Sequence, residues 1–419
     1  MKFHSWFLAL TLCTSGLVQA QIQKPTALKR LDAVLLASNG KSEGTLGTSV
    51  AVSGNVVAVA TAQPNFPVYL FSRLAKGTTH EIATVSASDG ALLYSVAVGN
   101  NGRLVVAGAI NETIGNHPGA GAVYVFVEPA GGWTGNTTET AKLSASDAGT
   151  TNYDNLGASL ATTNGVIVAG APQFDGVING PGEAYVFVEP KGGWVNGTET
   201  ARLKASDGQL GDVFGGAIAV VGPRVVVGAP HHDANGAAYV FQEPRGGWKT
   251  MTETAELANA GSREGLGDSV ALLGGNPSTV AVGAPGATPR GAVYIYVEPA
   301  GGWVNTSTPT ATITSPKSLT SPHQCLGVYL AIGPQLLAVG DNCEIYGHNG
   351  SSIGDTYVYL TPEGGWHDYE GGIAIRPKGA MYASIPAVAG NRVIIGAPDT
   401  TVGNNSYEGE VLIYTVPVQ

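Results

Sequence analysis

The hydrophobic positions of this chain fall into short apolar segments that recur in the same order along its length. Each copy has four segments: an alternating run of small residues such as Ala217–Val220, a continuous β-branched run such as Val225–Val227, an aromatic run, and a shorter run such as Thr140–Leu143. The aromatic run occurs seven times, at Tyr69–Phe71, Tyr124–Phe126, Tyr185–Phe187, Tyr239–Phe241, Tyr294–Tyr296, Tyr357–Tyr359 and Leu412–Tyr414. Helical periodicity is absent throughout, so each segment predicts a β-strand.

Tight turns rich in Gly and Asn separate the segments, and such turns join antiparallel strands. The repeat therefore predicts an all-β, seven-bladed β-propeller of four-stranded antiparallel blades. A solenoid is the alternative, but it needs distinct capping repeats. Here the ends complement each other, because the chain finishes on a third-strand segment, Val411–Val416, and begins with an unpaired fourth-strand segment, Leu31–Ser38. We predict that the N-terminal strand completes the last blade and closes the ring, which removes exposed strand edges.

The first residues have the pattern of an export signal. Lys2 supplies a positive charge, Trp6–Leu12 an apolar run, and Val18–Ala20 a small-residue cleavage site. No other apolar run approaches the roughly 18 residues that a membrane-spanning helix needs. The mature protein is then secreted and extracellular, or periplasmic if the source is a Gram-negative bacterium. We predict three parts: a signal peptide at residues 1–20, a lead-in at 21–30 and the propeller at 31–419.

Composition narrows the classes of partner. The chain has 419 residues, 60 glycines, 12% charged residues, 43% hydrophobic residues and a formal net charge of −10. The apolar fraction can form a core, which argues against disorder. A Lys/Arg-rich run is absent, so nucleic acid and anionic membranes are poor partners. We expect a monomer that binds a protein or a glycan and uses no cofactor.

Two cysteines, Cys325 and Cys343, remain after the predicted cleavage, in an oxidising compartment. Each lies nine residues from Pro334, which falls in a predicted hairpin turn. An antiparallel hairpin centred there would place the two cysteines opposite each other. Two free thiols or a metal pair are the alternatives, but histidines at ligand spacing are missing, and a disulfide is the favoured interpretation.

One motif identifies a related family. Phe214–Gly215 is followed by Gly228–Pro230, a Gly-Ala-Pro sequence that recurs at Gly170–Pro172, Gly283–Pro285 and Gly396–Pro398. On these residues nearly the whole chain resembles the FG-GAP repeat protein family, whose repeat is the unit of the integrin α-subunit propeller, in a secreted bacterial-type branch. The resemblance implies the propeller fold. Because the family spans adhesion domains, lectins and many uncharacterised proteins, the resemblance is specific for the fold and does not indicate a particular function.

The chain departs from that family in one respect. Integrin-type repeats often carry an Asp-x-Asp-x-Asp-Gly calcium loop between the first and second strands. Here those connections are short turns without an acidic cluster, so they lack the carboxylate oxygens that Ca²⁺ requires. We therefore predict no metal site and folding that does not depend on calcium.

Three motifs could carry chemistry, and each also has a structural interpretation. Gly267–Val270 looks like the nucleophile block of a GDSL-type esterase, but Ser49 and Ser159 fill the same slot in other blades, which favours a scaffold role. The adjacent His231 and His232 could bind a metal with Asp233, although a solvated loop is favoured. Aspartates in the fourth-to-first-strand loops could bind cations or sugars but suit turns; they are Asp89, Asp147, Asp207 and Asp212.

A tryptophan follows each of five Gly-Gly pairs after the third strand, at Trp133, Trp194, Trp248, Trp303 and Trp366. Packing between blades is the favoured interpretation, because a tryptophan side chain buries a large apolar area. The alternative is a ring of sugar-stacking platforms, as in a multivalent lectin.

The loops from second to third strand depart most from the repeat, and they open on one face together with the fourth-to-first-strand loops. Varied loops on a rigid scaffold are where binding usually resides. The candidate ligand-binding residues there are Phe174, Asp175, Tyr346, His348 and Tyr407. We predict a non-catalytic binding or adhesion propeller that recognises a protein or glycan through this face. A propeller hydrolase or lyase acting on extracellular polysaccharide is the alternative, although no catalytic set is visible.

Overall fold

A computed structural model describes residues 30–148, 153–173, 180–259, 261, 264–316, 325–341, 354–377 and 385–418. These residues form seven β-sheets and two single turns of 3-10 helix, at Asn100–Gly102 and His232–Ala234. The predicted all-β, seven-bladed propeller is therefore confirmed. In this described part of the chain, no helix has the length and apolar character needed to cross a membrane.

The strands are given by blade, from the innermost strand outwards. Blade 1 contains β2 Ser49–Ser53, β3 Val56–Ala60, β4 Val68–Ser72, β6 Ala83–Ser86 and β10 Gly135–Thr138. Blade 2 contains β7 Ser95–Gly99, β8 Leu104–Ala109, β9 Ala122–Val127, β11 Ala141–Ser144 and β15 Gly197–Thr198. Blade 3 contains β12 Leu160–Thr163, β13 Val166–Ala171, β14 Glu183–Val188, β16 Ala201–Lys204 and β20 Met251–Thr252.

The remaining blades follow the same order. Blade 4 contains β17 Ala217–Val221, β18 Arg224–Ala229, β19 Ala237–Gln242 and β21 Ala255–Leu257. Blade 5 contains β22 Val270–Leu273, β23 Thr279–Ala284, β24 Ala292–Val297, β25 Ala311–Thr314 and β29 Tyr369–Glu370. Blade 6 contains β26 Leu326–Ile332, β27 Leu336–Asp341, β28 Asp355–Leu360 and β30 Ile373–Ile375. Blade 7 contains β31 Ile385–Ala389, β32 Arg392–Ala397, β33 Glu410–Thr415, β1 Arg30–Leu36 and β5 Gly77–His80.

The core lies between blades, and the third strands show why the aromatic run is needed. On β9, Tyr124 and Phe126 pack into a cluster shared with blade 1. Val123 and Val125 point the other way, into a cluster shared with blade 3. Side chains alternate across a strand, so the aromatic residues fill one inter-blade seam and the valines fill the next.

The FG-GAP glycines lie where neighbouring blades meet most closely. A Cβ added at Gly228 in blade 4 would lie 1.9 Å from the carbonyl oxygen of Gly267 in blade 5. The same distance separates a Cβ added at Gly170 from the carbonyl oxygen of Gly215, whose φ of +92° also favours glycine. The motif therefore marks a backbone-to-backbone contact that has no room for a side chain.

The ring closes as predicted. The N-terminal strand β1 pairs antiparallel with β33, with Leu35 opposite Val411. Leu35 is completely buried in the cluster between blades 7 and 1. The Oγ1 hydroxyl of Thr415 also donates a hydrogen bond of 2.5 Å to the carboxylate of Asp32. One blade is thus built from both ends of the described chain.

Five blades carry a fifth, parallel strand that the sequence did not predict. It comes from the third-to-fourth connection of the next blade, so that β10 leaves blade 2 and pairs with β6 of blade 1. The carboxylate of Glu139 then accepts hydrogen bonds from the Ser88 N–H (2.9 Å) and Oγ (2.6 Å). Equivalent Glu–Ser contacts occur at Glu81 and Ser38, Glu199 and Ser146, and Glu253 and Ser206. Each such connection ties one blade to its neighbour.

Candidate binding site at the mouth of the central channel

The seven innermost strands begin on the face that carries the second-to-third and fourth-to-first loops. Their first residues surround a cavity of about 470 Å³ at the mouth of the central channel. Residues from all seven blades line it, including Thr48, Ser49, Tyr94, Ser95, Ala158, Ser159, Gly216, Ala217, Asp268, Ser269, Val328, Tyr329, Ile385 and Pro398. The cavity therefore lies on the predicted binding face, at its centre.

Among the described residues that line this mouth, three carry an aromatic or charged side chain: Tyr94, Asp268 and Tyr329. The ring of Tyr94 is 38% exposed and is available for contact. Burial, followed by the charge of Asp268, raises the pKa of Tyr329 to about 12, so its hydroxyl stays protonated at neutral pH. The mouth thus presents a carboxylate acceptor, a phenol donor and an exposed aromatic ring close together.

This set of groups is suited to binding a hydroxyl-rich ring. A carboxylate accepts hydrogen bonds from hydroxyl groups, and aromatic faces cover apolar ring surfaces. Glycoside hydrolysis ordinarily uses two carboxyl groups placed on either side of the scissile bond. Asp268 is the one carboxylate among the described residues that line the cavity.

The serine of the esterase-like block has a structural role. Ser269 is 7% exposed, and its Oγ donates a hydrogen bond of 2.5 Å to the carbonyl of Gly327 in the next blade. Ser95 donates in the same way to Gly157 at 2.6 Å. The scaffold interpretation of Gly267–Val270 is confirmed, because this hydroxyl joins blades as its counterparts do.

The tryptophans pack between blades, which is the interpretation that the sequence favoured. Trp133, Trp194, Trp248 and Trp303 are 5–7% exposed and belong to clusters that span two blades. The indole N–H of Trp133 also donates to the carbonyl of Gly102 at 2.8 Å. Trp366 is partly buried against the cluster between blades 5 and 6. Four of the five indoles are therefore too buried to serve as sugar-stacking platforms.

Most of the loop residues proposed from the sequence fall outside the described residues: Phe174, Asp175, Tyr346 and His348. Tyr407 is described, is 41% exposed and lies in the second-to-third loop of blade 7, but it does not line the channel mouth. Their role in binding stays a prediction.

Of the two cysteines in the predicted disulfide, the structure describes Cys325 alone. Cys325 is 5% exposed and disulfide-bonded, and its N–H donates to the carboxylate of Asp341 at 2.7 Å. Cys343 lies outside the described residues, so the pairing of Cys325 with Cys343 stays a prediction.

The loop aspartates do more than form turns. Asp89, Asp147 and Asp207 each accept a hydrogen bond from the third-strand tyrosine of the next blade. In blade 4 that bond joins the Tyr239 hydroxyl to Asp207 at 3.0 Å. The aspartates therefore anchor the outer ends of the tyrosines at the blade rims.

The prediction that His232 lies in a solvated loop is wrong. Its residue exposure is 4%, because the short loop after β18 folds its ring against Tyr239, with 5.9 Å between the ring centroids. The Nδ1 atom donates to the carboxylate of Asp212, itself 3% exposed, at 2.9 Å. Burial lowers the pKa of His232, but Asp212 together with Asp207 outweighs it, and the net shift is upwards.

Comparisons with known proteins agree with this architecture. The family model described as FG-GAP repeat matches residues 137–187 and 198–241. A chain in a structure titled "Crystal Structure of Mitotic Checkpoint Complex" is similar in fold, with a TM-score of 0.52, 12% sequence identity and 99% of each chain covered. At that identity the likeness concerns the fold alone. The search of curated proteins gave no significant match.

Proposed function

We propose, from the premise that this chain is a seven-bladed propeller carrying FG-GAP repeats, that it is a secreted, non-catalytic binding protein. Its ligand is the end of a glycan, which enters the mouth of the central channel. The observation that carries this proposal is the presence of two aromatic side chains and one carboxylate, Tyr94, Tyr329 and Asp268, in a lining that is otherwise aliphatic or small and uncharged. In this proposal, the remainder of the ring supplies shape and these three side chains supply recognition.

The size and chemistry of the mouth support a small polar ligand. Its volume of about 470 Å³ falls within the roughly 300–1,000 Å³ that is usual for small-molecule sites. The exposed ring of Tyr94 would stack on the apolar face of a sugar. Asp268 would accept hydrogen bonds from sugar hydroxyls, and the protonated Tyr329 would donate one.

Export is part of the same proposal. The charged and apolar pattern at residues 1–20 would deliver the propeller to a compartment in which glycans are displayed on cell surfaces. Binding such a glycan without cleaving it would give the protein an adhesive role. The ties between blades, such as Glu139 to Ser88, would keep the mouth rigid before the ligand arrives.

A glycan array probed with exported protein, residues 21–419, tests the proposal. Isothermal titration with the glycan that the array selects then compares three variants. Tyr94→Ala and Asp268→Asn should each weaken binding by at least about 10-fold, as central contact residues usually do. Leu74→Ala is the matched control, since this side chain is 57% exposed and follows the third strand, on the opposite face. It should bind like the parent.

Two results would contradict the proposal. One is an array without any bound glycan while a pull-down recovers a protein ligand. The other is a selected glycan whose affinity is the same for Asp268→Asn and the parent, with both proteins folded by circular dichroism.

A further inference from the structure

The fourth-strand position opposite the third-strand tyrosine holds a cation in blades 2 and 3, an uncharged residue in blades 1, 5 and 6, and a carboxylate in blade 4. On the fourth strand, the residue directly opposite the third-strand tyrosine is Lys142 in blade 2 and Arg202 in blade 3. Each cation contacts the aspartate that also accepts the tyrosine hydroxyl: Lys142 Nζ lies 2.7 Å from Asp89, and Arg202 Nη1 lies 2.5 Å from Asp147. In both blades a positive group neutralises the rim.

In blade 4 the same position holds Glu256, opposite Tyr239. Its carboxylate joins the carboxylates of Asp207, Asp212 and Asp233, which all face His232. Within the described part of the chain, no lysine or arginine forms an ion pair with these four acids. The positive group that two neighbouring blades carry is therefore replaced by a negative one.

The imidazole of His232 is oriented as a metal ligand would be. Its Nδ1–H is held by the buried carboxylate of Asp212, which leaves Nε2 facing the open side of the cluster. Nε2 lies 3.6 Å from a carboxylate oxygen of Asp207 and 3.5 Å from one of Asp233. A carboxylate on the far nitrogen fixes the tautomer and orientation of ligating histidines in metalloproteins.

We propose that Asp207, His232 and Glu256 bind a divalent metal ion in place of the cation that blades 2 and 3 carry. One ligand atom from each of the three lies within 4.8 Å of the other two. Around a tetrahedral Zn²⁺, ligand atoms at about 2.1 Å from the ion lie roughly 3.4 Å apart. Asp207 accepts the Tyr239 hydroxyl on Oδ1, so the oxygen that would bind the ion is Oδ2, which lies 3.6 Å from His232 Nε2.

The ligand types select the ion. One imidazole nitrogen with two carboxylates suits Zn²⁺ or Mn²⁺, whereas Ca²⁺ takes oxygen ligands alone. Asp233, with its side chain 66% exposed, supplies a fourth ligand or leaves that position to water. Asp207 comes from a fourth-to-first loop, His232 from a second-to-third loop and Glu256 from the fourth strand of blade 4, so the site lies away from the first-to-second turns. It replaces our expectation of no metal site. It does not depend on the proposed glycan.

Isothermal titration of metal-free protein with ZnCl₂, repeated with MnCl₂, tests this inference. The parent should bind one ion per chain. Glu256→Lys restores the residue type of blade 2 and should lower the affinity for Zn²⁺ by at least about 100-fold, because it removes a ligand and places a cation in the site. Asp212→Asn keeps the side-chain shape but removes the carboxylate that orients His232, so it should lower the affinity for Zn²⁺ by about 10- to 100-fold.

The control is Glu363→Gln, which removes an exposed carboxylate from blade 6 and should leave the Zn²⁺ affinity unchanged. Circular dichroism melts establish that each variant is folded. If Asp212→Asn unfolds, Glu256→Lys still tests the inference, because this substitution empties no buried space. Absence of stoichiometric binding of either metal to the parent would overturn the inference. So would a folded Glu256→Lys protein that binds Zn²⁺ as the parent does.

Discussion

Gly228→Ala should separate blades 4 and 5. The added Cβ would lie 1.9 Å from the carbonyl oxygen of Gly267, whereas real Cβ atoms essentially never come within 3.0 Å of another heavy atom, so the two backbones must part by about 1.1 Å. Gly228 is on the buried strand β18, and the backbone N–H of Gly267 donates to the carbonyl of Gly283, so both backbones are held in place. Overpacking a rigid core lowers the free energy of unfolding by about 1–3 kcal/mol, and for Gly228→Ala we expect a loss near the upper end of this range.

Equilibrium urea unfolding followed by tryptophan fluorescence measures this effect, since Trp248 and Trp303 are buried in the neighbouring seams. Gly131→Ala is the matched control, because a Cβ there meets nothing within 4 Å. The control should be neutral, or more stable by up to about 1 kcal/mol through a less flexible unfolded chain. Equal unfolding free energies for the two variants would refute our account of the FG-GAP glycines.

Three further predictions concern ring closure, the disulfide and the ionisation of Asp341. Leu35→Ala should lower the free energy of urea unfolding by about 2–5 kcal/mol. Leu31 is on the same strand but is 48% exposed, so Leu31→Ala should lower it by under about 0.5 kcal/mol. Equal losses for the two variants would contradict ring closure by β1. Thiol labelling and intact mass of exported protein should find Cys325 and Cys343 joined, and two free thiols would exclude that pair. Burial raises the pKa of Asp341 from 3.8 to about 7. Between these two pKa values the folded protein keeps a proton that the unfolded chain has lost, so the free energy of unfolding falls as the pH rises from about 4 to about 7. Asp341→Asn should therefore stabilise the protein at pH 8 but not at pH 3, and a pH-independent difference in melting temperature would oppose this.

The architecture could be predicted because each blade repeats the same local pattern. The β-branched second strands and aromatic third strands each lie between two apolar seams, so their composition reports their burial directly. The fifth strands could not be predicted in the same way. They are short, polar segments such as β10, and they pair with a different blade, so nothing in their own sequence indicates a partner. The glutamate that recurs in these connections was the sequence feature that could have indicated this pairing; it occurs at Glu81, Glu139, Glu199 and Glu253.

The site was harder to predict than the fold. The sequence placed binding on the face where the channel mouth opens, but it named residues of the second-to-third loops, four of which lie outside the described residues. Tyr94 and Asp268 sit in a slot that most blades fill with small residues, and comparing that slot across blades would have found them. His232 was named as a possible metal ligand, but its burial was not predicted, because adjacent histidines suggest an exposed loop. Its burial depends on Asp212 and Tyr239, which come from other segments.

The most direct test of the central claim is the affinity of exported protein for its array-selected glycan, measured by titration calorimetry on two variants. Asp268→Asn alters the channel mouth, and Tyr407→Ala alters an exposed outer loop on the same face. We predict that Asp268→Asn binds at least about 10-fold more weakly than the parent and that Tyr407→Ala binds equally well. Loss of binding in Tyr407→Ala, with full affinity in Asp268→Asn, would place the ligand on the loops and contradict binding at the channel mouth.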